Sequence, residues 1–275
     1  MSAVLLIACI GIAVFFLNGF ASGRPTLIDS LASLSGLKAS EAPYIPGTQV
    51  PLEEPPAEDP NAPRIYLTFD DGPSETSTQQ ILEILKANDI HATFFVVGYK
   101  AERYPDLILQ EASEGHVIAN HTYCHDYAVV YVSPDAFIDD VQNCERVLTG
   151  ILGKTPEHIL RFPAGTIAVE LDGNPEMRDS IKEYLSENGW RYFDWNASFG
   201  DSRLTAPEPG KLANNLNAYI DDLVENGTTD IVVLGHDDDA KPWTPADLPL
   251  VIEHCKEKGY VFKVLTLDSP PCAFR

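Results

Sequence analysis

The sequence predicts an α/β fold in which about seven parallel strands, each followed by a helix, curl into a (β/α) barrel. Two observations carry this. Short apolar runs recur at Ile65–Phe69, Ala92–Val97, Val117–Asn120, Ile159–Phe162, Arg191–Asp194, Ile231–Leu234 and Val261–Val264. Helical periodicity fills the gaps between them, and strands that alternate with helices pair in parallel. The alternating region runs through residues 63–275. At that length closure into a barrel is the natural arrangement, with functional residues at the C-terminal ends of the strands.

Two stretches precede the barrel. Residues 1–23 carry no charged side chain, and Ala3–Leu17 is apolar throughout. A core helix would show a polar face, so this reads as a signal peptide or membrane anchor. It is long enough to span a bilayer if uncleaved. Residues 24–62 hold seven prolines and six acids, with no hydrophobic period, and read as a disordered tether. Together they predict an extracytoplasmic domain, secreted or membrane-anchored.

The helices are expected near Ser77–Asn88, Pro105–Glu114, Pro134–Leu148, Pro175–Asn188, Lys211–Asn226 and Pro245–Lys258. Several open on Pro, or after Ser or Thr, and several close at Gly or Asn, as helix ends prefer. The net charge of −22 argues against a nucleic-acid partner, which needs clustered Lys and Arg. Of the five cysteines, Cys9 lies in the apolar leader. Cys124, Cys144, Cys255 and Cys272 could form two disulfides or stay as buried thiols.

Chemistry-bearing residues gather where strands end. Asp70-Asp71-Gly72-Pro73 follows the first apolar run. Alone it reads as a solvated turn, but strand alternation would aim the two carboxylates at different tasks, one toward a metal. His121 and His125 follow the third run. Their four-residue spacing would put both imidazoles on one side of a helical turn. Two histidines and a carboxylate, Asp71, leave metal positions open for water and substrate. Arg161-Phe162-Pro163-Ala164-Gly165 offers a guanidinium to fix a carboxylate and a turn with free N–H groups. Asp194-Trp195 pairs an acid with a flat apolar ring. Leu234-Gly235-His236 closes another strand with a candidate general acid. The acids Asp237-Asp238-Asp239 read as a solvated loop.

These five motifs, in this order, resemble those of the polysaccharide deacetylases with a NodB homology domain, carbohydrate esterase family 4. The variants are similar to those of bacterial peptidoglycan N-acetylglucosamine deacetylases. The resemblance implies a distorted (β/α) barrel and a divalent metal, most often Zn2+ and sometimes Co2+ or Ni2+, on Asp71, His121 and His125. It implies Asp70 as catalytic base, Arg161 orienting it, and His236 as acid tuned by Asp194. The Ala164 N–H would serve the oxyanion, with Trp195 and Leu234 around the acetyl methyl. Where many members have Tyr, this chain has Ala164, which leaves the backbone donor and removes a ring. The expected substrate is an N-acetylated cell-wall glycan, peptidoglycan first, with chitin oligomers, exopolysaccharide or acetyl-xylan as alternatives. The expected enzyme is a monomer. A non-catalytic wall-binding homologue would lack one of Asp70, His121, His125 or His236, and all four are present. A glycosidase would give the histidine pair no role.

Overall fold

The computed structural model describes residues 59–171, 175–203 and 207–274. The leader 1–23 and most of the tether 24–62 lie outside the described residues. Among the described residues no helix is long and apolar enough to cross a membrane.

The chain runs β1 (Arg64–Asp70), α1 (Ser77–Asn88), β2 (Thr93–Val96), α2 (Gly98–Arg103), α3 (Pro105–Ser113), β3 (Val117–Asn120), α4 (Tyr127–Val130), α5 (Pro134–Leu152) and β4 (Ile159–Leu160). It continues through α6 (Thr166–Leu171), α7 (Pro175–Glu187), β5 (Arg191–Tyr192), β6 (Ala197–Ser198), α8 (Lys211–Glu225), β7 (Asp230–His236), α9 (Trp243–Glu257) and β8 (Val261–Phe262). Each of the seven apolar runs seats a strand. The addition is β6, whose two residues are too few to show alternation. The short helices α2, α4 and α6 also lack a readable period.

All the strand pairings are parallel, in the order β5-β4-β3-β2-β1-β7-β6. Strand β8 pairs with Arg64 and Ile65 of β1, on the edge where β2 pairs with Thr68–Asp70. The sheet therefore curls without closing: β5 and β6 end the path and are not paired with each other. The C-terminal segment lies along that seam. Asp194 N–H donates to the Cys272 carbonyl at 2.7 Å, and Arg191 Nη1 to the Leu267 carbonyl at 2.8 Å.

Strand alternation on β1 sorts its side chains. Ile65, Leu67 and Phe69 pack outward with Ile81, Leu85 and Leu216 of the flanking helices. Tyr66 joins Phe95, Phe193 and Val232 in a second, inner cluster. Thr68 and Asp70 continue that inner row, which delivers Asp70 buried at the strand's C-terminal end. Polar groups fix the helix starts nearby. Ser133 Oγ accepts from Ala136 N–H to open α5. Asp239 Oδ1 accepts from Thr76 and Ser77 N–H and caps α1 from across the fold. The described cysteines Cys124, Cys144, Cys255 and Cys272 are free thiols, with Cys144 and Cys255 fully buried.

Candidate active site

Asp70 and Asp71 do not part in the way strand alternation suggests. Strand β1 ends at Asp70, and Asp71 turns into the left-handed region with φ 72°. That reversal returns its carboxylate to the rim occupied by Asp70. Asp71 Oδ1 lies 3.5 Å and Asp70 Oδ2 3.7 Å from the same atom, His121 Nε2. The acids are separated by partners instead of by faces. Gly72 follows because a Cβ there would run into the Asp237 carboxylate.

The two imidazoles meet, but not on a helical turn. Residues 121–126 form an irregular loop, with Thr122 at φ 67° and His125 at φ 51°. The rings lie 4.8 Å apart. Asn120 Oδ1 accepts from Thr122 N–H, and the buried Asp140 of α5 accepts from both Tyr123 and Cys124 N–H. Asp140 therefore does for this loop what helical hydrogen bonds would have done. Of the five non-glycine residues with positive φ among the described residues, four are Asp71, Thr122, His125 and Ala164. Such strain, about 1–3 kcal/mol per residue, concentrates where a site must be held in one shape.

Arg161 is fully buried and uses every edge of its guanidinium. Nη1 donates to Asp70 Oδ1 and Thr68 Oγ1, both at 2.7 Å. Nε donates to the Phe193 carbonyl at 2.9 Å and Nη2 to the Asp194 carbonyl at 3.0 Å. Its plane sits 4.1 Å from the Phe95 ring centre. The Arg161 carbonyl lies 2.9 Å from His121 Nδ1. A proton on Nδ1 satisfies that contact and leaves the Nε2 lone pair facing Asp71.

His236 stands opposite Asp70 in the β1–β7 register, with Nε2 4.0 Å from Asp71 Oδ2. Its partner is not Asp194. The fully buried Asp201 holds it twice, through His236 Nδ1 and through its backbone N–H, both at 2.9 Å, and also accepts from Thr244 Oγ1. Burial pushes the imidazole toward neutrality. Asp201 first, then Asp71 and Asp70, outweigh it and raise the pKa to about 9.

Asp194 is instead a latch. Oδ1 accepts from Thr166 N–H at 2.9 Å, and Oδ2 from Thr166 Oγ1 at 2.6 Å and Phe274 N–H at 2.8 Å. It ties the Pro163–Thr166 turn to the C-terminal segment. Gly165 in that turn has φ 78°, and a Cβ on it would meet the Phe274 ring at 2.8 Å. Asp194→Ala leaves three donors without acceptors in a buried position. We expect a loss of about 2–4 kcal/mol in urea unfolding, with the alkaline limb of any pH–rate profile unmoved. A shifted limb would return Asp194 to the role of tuning His236.

The other predicted residues fall on the same rim. Ala164 is exposed, has φ 60°, and its N–H has no partner among the described residues. Trp195 lies 5.7 Å from the Arg161 guanidinium and meets the Phe274 ring edge-on at 4.9 Å. Leu234 is buried two residues before His236, hence on the same face of β7. The acidic run is not a solvated loop. Asp237 is buried and pushed up to about 7, chiefly by burial. Asp238 pairs with Lys100, which also donates to the Asp71 carbonyl at 2.7 Å, and Asp239 caps α1.

Asp71, His121 and His125 offer ligand atoms within 4.8 Å of one another. Asp71 Oδ1 is buried and makes no hydrogen bond, with His125 Nε2 only 3.1 Å away. Burial opposes ionisation of Asp71, but His121, His125 and His236 hold it well below the usual carboxylate range. Burial and the neighbouring His121 lower His125 to about 4, so it is neutral at pH 7. An orphaned carboxylate oxygen beside a neutral imidazole lone pair is a donor set that fits a divalent ion.

The polysaccharide deacetylase family model matches residues 57–190. The chain is 30% identical over 204 residues to a peptidoglycan-N-acetylglucosamine deacetylase of Bacillus cereus, covering 74% of this chain and 70% of that one. It is 38% identical over 179 residues to a chitooligosaccharide deacetylase of Rhizobium leguminosarum bv. trifolii, covering 60% and 75%. The catalytic domain of peptidoglycan N-acetylglucosamine deacetylase from Eubacterium rectale superposes with a TM-score of 0.71 at 31% identity, over 79% of this chain and 94% of that domain. With the curled parallel sheet and a rim that carries Asp70, Asp71, His121, His125 and His236, these relationships identify the chain as a member of the polysaccharide deacetylase family, a carbohydrate esterase.

Proposed function

We propose that this enzyme removes the acetyl group from N-acetylglucosamine residues of cell-wall peptidoglycan, with Asp70 as base and His236 as acid. The observation that carries the reading is the register pairing of Asp70 with His236 across β1 and β7, beside the Asp71–His121–His125 donor set. Two proton-handling groups of opposite character thus flank one position where an acyl carbon can sit.

Asp71, His121 and His125 would hold the ion, Zn2+ by donor chemistry, with Co2+ or Ni2+ as substitutes. When bound, it supplies Lewis-acid charge for the acyl oxygen and acidifies water. Asp70, fixed by Arg161, accepts a proton from the attacking water as its oxygen bonds to the acetyl carbon. The Ala164 N–H donates to the developing oxyanion. His236, kept protonated by Asp201, delivers its proton to the glucosamine nitrogen as the C–N bond breaks. Acetate and a free amine leave. Trp195 and Leu234 give the methyl an apolar wall.

A location outside the cytoplasm, at the wall, belongs to this reading, as does a monomeric enzyme. The uncharged leader and the Pro-rich tether support the location. Peptidoglycan leads because the uncharged leader and tether would place the domain at the wall, and because the Bacillus cereus and Eubacterium rectale relatives are named for that substrate. Acetate release from purified peptidoglycan and N-acetylglucosamine oligomers tests the assignment. Release should stop on chelation and return on adding Zn2+. If no acetylated glycan releases acetate after metal is restored, the assignment fails. Release from chitin oligomers alone would move the substrate.

A further inference from the structure

We propose that Tyr127 is the stacking platform for a sugar ring of the glycan chain, and so sets the enzyme's preference for polymeric over small acetylated substrates. This rests on the deacetylase reading above. Tyr127 is 51% exposed, yet its ring centre lies only 5.6 Å from that of His125. Its hydroxyl has no hydrogen-bond partner among the described residues. A half-exposed ring that rests on His125 and Tyr131 without entering the core clusters, beside the reaction centre, is available to a ligand.

The ring is also held still. Asp126 Oδ1 accepts from Ala128 N–H at the start of α4, and Val130 at its end is fully buried. The next residue, Tyr131, donates its hydroxyl to the Pro163 carbonyl at 2.7 Å and stacks on Phe137 at 5.9 Å and 11°. The single turn is thus bolted to the core and to the turn that carries Ala164. Tyr127 is presented on that rigid base. A fixed aromatic loses little freedom on binding, which is what a stacking site requires. A hexopyranose ring offers an apolar face of C–H groups to the phenyl ring and hydroxyls to the phenol oxygen. The sugar adjoining the one being deacetylated is the occupant.

The test compares an N-acetylglucosamine pentamer with 4-nitrophenyl acetate as substrates of the metal-loaded enzyme. Tyr127→Ala should lower the pentamer-to-ester ratio of kcat/KM about tenfold, through the pentamer KM. Tyr127→Phe and Tyr127→Trp should recover that ratio to within about threefold. Tyr127→Trp should also show an emission change on pentamer titration larger than that of wild type, whose own Trp195 lies at the acetyl pocket. An unchanged ratio in Tyr127→Ala overturns the proposal. So does an equal loss on both substrates through kcat, which would make Tyr127 a prop for His125. A Tyr127→Trp emission change no larger than that of wild type overturns it independently of turnover. Wild-type enzyme inactive on the pentamer would sink the deacetylase reading itself, a distinct result.

Discussion

Asp70→Asn is expected to lower kcat on N-acetylated oligomers by about two to four orders of magnitude, the range for loss of a general base. The substitution keeps the shape and an oxygen that can still accept from Arg161 Nη1, so the rim geometry survives. What disappears is the negative charge that takes the proton. The change also leaves the fully buried Arg161 without its ion-pair partner. Removing one member of a buried pair costs about 3–5 kcal/mol, and the remaining Asn dipole, with Thr68 and the Phe193 and Asp194 carbonyls, keeps the cost toward the lower end. Thermal unfolding should register that loss. Asp71→Asn provides the contrast. It should abolish retention of Zn2+ on gel filtration, whereas Asp70→Asn should retain one equivalent. If Asp70→Asn works within about tenfold of wild type, the base lies elsewhere.

Asp201→Asn is expected to move the alkaline limb of the pH–rate profile downward by roughly one to two units. His236 is raised to about 9, so it keeps its proton through neutrality and gives it up as pH rises through that value. An acid-catalysed step is therefore intact below the limb and fails above it. Without the Asp201 charge, burial dominates and drives the pKa the other way, so the limb descends into the neutral range. At pH 8 the variant should lose about two- to tenfold in kcat through the limb alone, with the gap closing at pH 6. A bound cation lowers both profiles alike, so the difference between variants is the measurement. Asn can also turn its NH2 toward His236 Nδ1 and select the wrong tautomer, which lowers the plateau as well. If the limb moves in Asp194→Ala and stays in Asp201→Asn, the pairing seen in the structure is not the one that serves catalysis.

The contrast between Asp194 and Asp201 shows where reading the chain alone stops. Both acids follow β5 within seven residues of each other in sequence. Asp194 sits beside Trp195 at the end of an apolar run and looks like the site residue. Asp201 lies beyond β6, a strand too short to be seen, and only the β6–β7 pairing brings it to His236. Likewise, an i, i+4 histidine pair suggests a helical turn. The actual loop depends on Asp140, which lies 15 residues beyond His125 in α5. The Asp237–Asp239 run looks solvated because nothing local shows that Thr78, Lys100 and the start of α1 will close over it.

By itself the sequence determined the alternation of strands and helices and which side chains could do chemistry. Hydrophobic period is a property of neighbouring residues, and donor type is a property of each residue. Tertiary structure alone decided that both aspartates share one rim, that Asp201 rather than Asp194 raises His236, and that the barrel stays open beneath the C-terminal segment. Those outcomes rest on distances between residues far apart in the chain, and such distances are set by sheet register and left-handed turns that no local pattern encodes.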